Sequence, residues 1–384
     1  MQLERFNPIA DREKLDRIWP SSTASEPHSY FLSRQWIDAW LDTLPHNVKI
    51  DAHIVYIKQK RLVFFTGRHE SAFKQLSQQK RITLNATGAS HLDYGLWIEY
   101  NGLIGEIDNT TATELSKDFD GIAAQLYEGK WTELYIPGIE VNNPLYTALL
   151  EGNSNKQYET FIESSLPSYF VDLQKISTPT AYLAQLSRNT RAQLTRAYRE
   201  YQSIYKAPLE THFANTTEEA LSFFEGLVKL HTQSFEQTKR KSHFTTPFAQ
   251  TFHKHLISER FSSGEILISQ TRCGNRIVGY LYNFIHHGKV SYFQSGLHFE
   301  NNKHLKPGLV CHHQAIAHLI KQNTQHPLYV EYDFLAGHER LKRSLSNNQR
   351  TIEWLTIKKR HPLLGLHKKQ QRLKALAKQR LRNT

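Results

Sequence analysis

A chain of 384 residues with 39% hydrophobic and 11% aromatic side chains can bury more than one core, which excludes wholesale disorder and favours two domains. The formal net charge is +12, but ten Lys or Arg and no acid lie between Lys358 and Arg382, so the body of the chain is nearly balanced, unlike a nucleic-acid-binding fold with a basic surface. Cys273 and Cys311 are the only cysteines, which excludes a disulfide framework and a cysteine-based zinc site.

The amino terminus lacks the apolar core of a signal peptide, and no apolar run approaches the ~18 residues that span a bilayer, so the expected compartment is the cytoplasm. Phe31 to Leu41 predicts a helix with Trp36 and Trp40 four apart on one face. Asp51 to Phe65 predicts two strands around Lys58-Gln59-Lys60-Arg61, Tyr94 to Ile98 another, and Trp131 to Ile136 a further strand stopped by Pro137-Gly138. The polar, Asn-rich stretch from Glu151 to Tyr158 marks a boundary, dividing the chain into domains 1–158 and 159–360 and a basic tail, 361–384.

Past the boundary, Tyr169 to Leu173 predicts a strand and Ala181 to Tyr201 a helix with Arg188, Arg191, Arg196 and Arg199 in one arc. Arg191 could grip a phosphate or carboxylate bidentately, although a solvated basic face on a packed helix has the same pattern. Glu218 to Phe235 predicts a helix with His231 on its buried side. Glu265 to Gln270 and Ile277 to Phe284 form a hairpin around Cys273-Gly274-Asn275-Arg276, and Val290 to Leu297 extends the meander.

Pro307-Gly308 then opens a helix with an apolar stripe of Leu309, Ile316, Leu319 and Ile320. Its uncovered amides, its dipole and Lys306 suit an anion, and Gly308 leaves room for a ligand; an ordinary core helix would show the same stripe. Leu328 to Leu335 predicts a buried strand, and Ala336 to Leu345 a short segment crowded with acid, imidazole and cations. Leu363 to Leu381 places its leucines on one side of a basic helix, which could lie on an anionic membrane or pack on the body. The close His pairs have no third ligand at zinc spacing, so no metal is expected; nor is there a dinucleotide, nucleotide-triphosphate or serine-hydrolase motif.

Four motifs carry a resemblance: Tyr292-Phe293-Gln294-Ser295-Gly296, Lys306-Pro307-Gly308-Leu309-Val310, the run from Tyr332 to Glu339, and Lys342-Arg343. In order and spacing they resemble the acetyltransferase-like family associated with bacterial cellulose and exopolysaccharide synthesis, within the GNAT superfamily and related to the Fem-type peptidyltransferases. The Leu-Ser-Arg-Asn-Thr-Arg run ending at Arg191 and the entry helix are similar too. The resemblance implies an α/β protein of tandem GNAT-like (acyl-CoA N-acyltransferase) domains, mixed sheets flanked by helices, the first a worn copy of the second. No such repeat is visible in the residues, and the first half lacks a counterpart of Lys306-Pro307-Gly308, so its expected job is to wall a substrate cleft.

The implied function is transfer of an acyl group, acetyl above all, from acetyl-CoA or another acyl-CoA to an amine or hydroxyl of a sugar or cell-envelope precursor. Gln294, Ser295 and Gly296 would then line the donor arm, with Lys306, Gly308, Leu309 and Val310 at its diphosphate. Glu339, Asp333 and His231 are the candidates for the proton relay, and Tyr282, Tyr292, Arg191 and Lys342 for substrate contacts. One Gly and a Pro stand where the common GNAT phosphate signature has spaced glycines. Two alternatives remain: a Fem-type transferase using aminoacyl-tRNA, the one nucleic acid expected, and a non-catalytic partner of a polysaccharide synthase, drawn to the inner face of the membrane by its tail.

Overall fold

Apolar runs of two-residue period become strands, and runs of 3.6-residue period become the helices that cover them. The computed structural model describes residues 1–20, 29–68, 80–151 and 157–360, so the predicted helix from Leu363 to Leu381 lies outside the described residues. The first half runs β1 (Gln2–Phe6), α1 (Arg12–Ile18), α2 (Arg34–Thr43), β2 (Ile50–Ile57), β3 (Lys60–Arg68), β4 (Arg81–Leu84), α3 (Ser90–Asp93), α4 (Asn109–Lys117), α5 (Phe119–Gln125), β5 (Glu133–Glu140) and α6 (Pro144–Glu151). The second begins with β6 (Tyr158–Asp172), α7 (Pro179–Gln185), α8 (Arg188–Tyr205), β7 (Leu209–Phe213), α9 (Thr217–Gln237), α10 (Pro247–Arg260), β8 (Ile266–Cys273) and β9 (Arg276–His286). It ends with β10 (Lys289–Leu297), α11 (Pro307–Gln325), β11 (Glu331–Ala336), α12 (Arg340–Leu345) and β12 (Asn348–Lys359).

All twelve strands join one sheet in the order β1-β2-β3-β4-β5-β12-β6-β11-β10-β9-β8-β7. Read inward from either edge, three antiparallel pairings lead to a parallel pair, β4 with β5 on one side and β10 with β11 on the other. The repeat absent from the residue identities is therefore present in the topology. At the centre β6 lies between β11 and β12, and β12, the last strand, also pairs with β5 of the first half and so joins the two. One apolar cluster, holding Trp36, Trp40, Phe224 and Phe252, joins α2, α9 and α10 on one face of both halves. The other face is divided between a core under α7, α8 and α11 and one under α4 to α6.

Four expectations change. Tyr94 to Ile98 forms no strand, because the N–H groups of Leu96 and Trp97 donate back to the Asp93 carbonyl at 3.1 Å and fold the segment into a turn. Pro137-Gly138 does not stop β5; the pair forms a bulge opposite Trp354, with Gly138 at φ +62°. The helix expected from Ala181 to Tyr201 is broken at Leu186-Ser187, where the Ser187 hydroxyl caps α8 by accepting the Thr190 N–H at 3.1 Å. The strand expected from Leu328 starts only at Glu331, since the Asn323 side chain accepts the amides of Leu328 and Tyr329.

Candidate active site

β10 and β11 share three registered pairs, Lys289 with Glu331, Val290 with Tyr332 and Ser291 with Asp333, and then part, although β10 runs on to Leu297. Both strands are irregular at that point. β10 slips register against β9 between Tyr292 and Gln294, and β11 slips against β6 between Asp333 and Ala336. Leu335, buried, takes φ +59°, a left-handed conformation that costs a branched side chain about 1–2 kcal/mol and persists only where the surroundings impose it.

The next helix, α11, starts beside the parted stretch. Thr178, Ser187, Thr216 and Thr246 each cap their helices, α7 to α10, with a side-chain oxygen. α11 has Lys306 at that position, no side-chain cap and no acid in its first turn. Backbone geometry does not forbid a cap there. Lys306 has φ −123° and ψ 71°, close to Asp11 at φ −126° and ψ 69°, and Asp11 does cap α1. Lys303 and Lys306 add charge, and Arg196 reaches His304 Nδ1 at 3.4 Å in the same loop. Gly308 serves packing instead of leaving room: a Cβ there would lie 2.9 Å from Leu341 and 3.2 Å from Leu297. Leu309 and Val310 are core side chains; the Val310 N–H already donates to the Lys306 carbonyl at 3.1 Å, so of the two only Leu309 can offer a ligand its main-chain N–H, and the Val310 expectation falls.

Three acids gather at the end of β11. Asp333 is fully buried; it accepts from Ser168 Oγ at 2.9 Å, the Leu335 N–H at 2.8 Å and the Tyr100 hydroxyl, and pairs with Lys289 at 2.9 Å. Burial opposes its ionisation, but the Lys289 ammonium and the Arg350 guanidinium overcome that and hold its pKa down at about 2. Glu339 is mostly exposed and pairs with Lys342 at 3.5 Å. Lys342 in turn donates to the carbonyls of Ala336 at 2.8 Å and Leu335 at 3.3 Å, so it braces the strained segment.

The third acid, Glu99, comes from the first half and was not anticipated. It is 1% exposed and accepts from Trp97 Nε1 at 2.7 Å and from the Ala336 N–H at 2.6 Å. Burial raises its pKa to about 7, with the Lys342 charge working in the opposite direction. Positive φ angles cluster around it, at Trp97 (+39°), Tyr100 (+52°) and Leu335, and Gly138 packs so closely that a Cβ there would lie 3.0 Å from the Glu99 Cα. Nothing within Trp97-Ile98-Glu99-Tyr100 signals this, because the deciding partner, Ala336, is 237 residues away.

The remaining predicted residues divide. Gln294, Ser295 and Gly296 lie on the parted stretch of β10. Gly296 is required for close approach, since a Cβ would fall 2.7 Å from the Leu227 Cα of α9. His231 is buried, stacked on Phe235, and its Nδ1 meets Ser242 Oγ at 2.8 Å. Burial lowers its pKa to about 4, so the ring is neutral at pH 7. The Tyr292 hydroxyl meets Ser295 Oγ at 2.8 Å, and its ring packs edge-on against His312. Tyr282 and Arg191 are not gathered with the rest. Tyr282 is fully buried beside His253, and Arg191 donates to the carbonyls of Ala184 (3.0 Å) and Leu186, closing the end of α7. Cys311 is a core thiol whose pKa burial pushes up to about 12, which removes it as a nucleophile.

Known proteins share the architecture of a large mixed sheet flanked by helices. Residues 188–343, less than half of the chain, match the acetyltransferase (GNAT) domain family. The fold is GNAT-like. FemX superposes with a TM-score of 0.55 at 10% identity, over 92% of this chain and 97% of its own. A tandem GNAT protein from the clavulanic acid biosynthesis pathway gives 0.45 at 11% identity over 94% and 99% of the two chains. A Bacteroides thetaiotaomicron protein of unknown function gives 0.49 at 10% over 93% and 100%. No curated protein matches the sequence. Among the described residues of this GNAT-like chain, no group of three His, Cys, Asp or Glu could hold a metal, and no helix is long and apolar enough to cross a membrane.

Proposed function

We propose that the protein is an acyltransferase that moves an acyl group, acetyl above all, from acyl-CoA to an amine or hydroxyl of a sugar or cell-envelope precursor. The observation that carries this is the parting of β10 from β11 next to a helix whose start has capping geometry but a lysine in place of a cap. Gln294, Ser295 and Gly296 stay paired with β9 but have lost β11, so the main-chain groups on this stretch that face the gap suit an amide-bearing arm, and the free amides of Gly308 and Leu309 with Lys306 suit a diphosphate. The residues present thus fit acyl-CoA, which when bound supplies an activated thioester.

The chain's own part is to orient the acceptor and move its proton. A general base works best when its pKa lies near the working pH, and Glu99, at about 7, meets that condition where Asp333, at about 2, does not. Glu99 therefore accepts the proton of the incoming amine or hydroxyl at the mouth of the parted strands. Asp333, saturated by four partners, locks Tyr100 and Lys289 to the sheet, and neutral His231 is held by Ser242 within the core.

Calorimetric titration of the whole chain with acetyl-CoA tests the reading. Saturable binding is expected, with a dissociation constant on the order of 1 μM to 1 mM. Heat with aminoacyl-tRNA but none with acetyl-CoA would transfer the donor site to the Fem-type chemistry. Silence with both would leave a non-catalytic partner.

A further inference from the structure

The first half has a cavity of its own. About 570 Å³ in volume, within the roughly 300–1,000 Å³ typical of ligand sites, it opens beside the parallel pair β4 and β5, with Arg81, Tyr94, Trp97, Tyr135 and Trp354 in its wall. Trp354 comes from β12, so both halves build it. Trp97 is 41% exposed and held at a positive φ, a strained position for a large side chain. Its indole N–H is fixed by Glu99, whose other oxygen holds the Ala336 amide at the end of β11. One carboxylate therefore touches both the cavity wall and the strand end where the donor is proposed to lie.

The cavity wall holds one cation, Arg81, and one acid, Asp93, and the two do not pair. The Arg81 guanidinium lies 4.2 Å from the centre of the Tyr135 ring, and among the described residues no carboxylate pairs with it. Asp93, an acid of the same wall, is already spent on Thr87 and Gly88. Tyr135 is covered by Arg81 and Tyr94 is stacked on His243, so Trp97 and Trp354 are the flat apolar surfaces left for a ring, while Arg81 can take an anion. A sugar is a ring that also carries the amine or hydroxyl nucleophile that acyl transfer requires.

We infer that this cavity receives the acceptor, and that the acceptor is a sugar bearing an anionic group, its ring stacked on Trp97, its anion paired with Arg81 and its nucleophile directed to Glu99. This rests on the donor site proposed above. In the step itself, the acceptor nitrogen or oxygen bonds to the acyl carbon and the carbon–sulfur bond of the thioester breaks. The acceptor's proton passes to Glu99 and from there to the departing thiolate.

Binding measured without donor separates the two ideas. Glucosamine 6-phosphate, glucosamine and inorganic phosphate are titrated into the whole chain and into Arg81→Gln and Trp97→Ala, with melting curves to confirm folding. The sugar phosphate is expected to bind at least tenfold tighter than either other probe. Arg81→Gln should erase that preference, and Trp97→Ala should weaken both sugars about tenfold, each leaving acetyl-CoA binding intact. If none of the three probes binds, if both variants bind like the parent, or if tryptamine outcompetes the sugar phosphate, the inference is overturned. Sugar-phosphate binding with no acetyl-CoA binding would instead uphold the cavity assignment and sink the donor site.

Discussion

The two halves of the sheet follow one plan, and their parallel pairs are equally short. β4 and β5 share three registered pairs, as do β10 and β11. The residues just beyond each pair differ. After β4 comes Asn85, fully buried at φ +52°, whose side chain binds the Phe65 N–H, the Asn101 side chain and the Gly102 carbonyl at 2.7–2.8 Å, so the gap is sealed with polar contacts. Beside β10 the side-chain bonds go to the end of β11 instead, where Asp333 and Glu99 accept the amides of Leu335 and Ala336 and Lys342 donates to their carbonyls.

The helices differ in the same sense. α4, in the first half, starts at Asp108, which accepts the Thr111 N–H at 2.7 Å and pairs with Lys60 at 2.8 Å; that lysine's hydrogen bond holds its carboxyl well below the usual range. A capping acid satisfies the free amides and repels a phosphate, whereas Lys306 does neither. One topology thus yields a capped helix start in one half and an uncapped one in the other, and the difference lies in one cap residue.

Glu99→Gln should have the largest effect, because it removes the proposed general base while keeping an oxygen to accept the Ala336 N–H. A loss of about a thousandfold in turnover is expected, within the roughly 10²–10⁴ attributed to a general base. In the parent, the rate should rise with pH through about 7, and this limb should vanish in the variant. Stability should move oppositely. The folded-state pKa lies above the ordinary 4.5, so the folded form keeps its proton longer; stability is full below 4.5 and falls as pH rises through about 7, by roughly 3 kcal/mol. Melting curves at pH 5 and pH 8 should therefore show the variant gaining on the parent at the higher pH.

Lys306→Asp would give α11 the kind of cap that α4 has. Acetyl-CoA affinity should drop by about tenfold to a hundredfold, while chemical denaturation should show a gain of roughly 0.5–1 kcal/mol from the new cap. Unchanged affinity would mean that the helix start is not an anion seat. The reciprocal change, Asp108→Ala, should be the mildest: about 1 kcal/mol of stability lost, with acetyl-CoA binding untouched.

Much of this was legible locally. The Gly274 turn, which adopts φ +57°, the stripe of α9 that buries His231, and the proline start of α11 all arise from neighbours a few residues apart. The internal repeat was not, because core positions ask only for apolar bulk of suitable volume and many sequences meet that demand. Gly308 shows how a local rule misleads: its missing side chain implied space, and Leu341, far along the chain, occupies that space.

What the sequence determined by itself is periodicity, turn chemistry and the choice of a lysine where a cap would fit, since these depend on backbone geometry within one or two turns. Only the tertiary structure decided which acid stands at the parted strands and how ionised each is. Those properties come from burial and from charges brought together across more than 200 residues, as Glu99 and Ala336 are, and pairing over such distances leaves no pattern in a single chain.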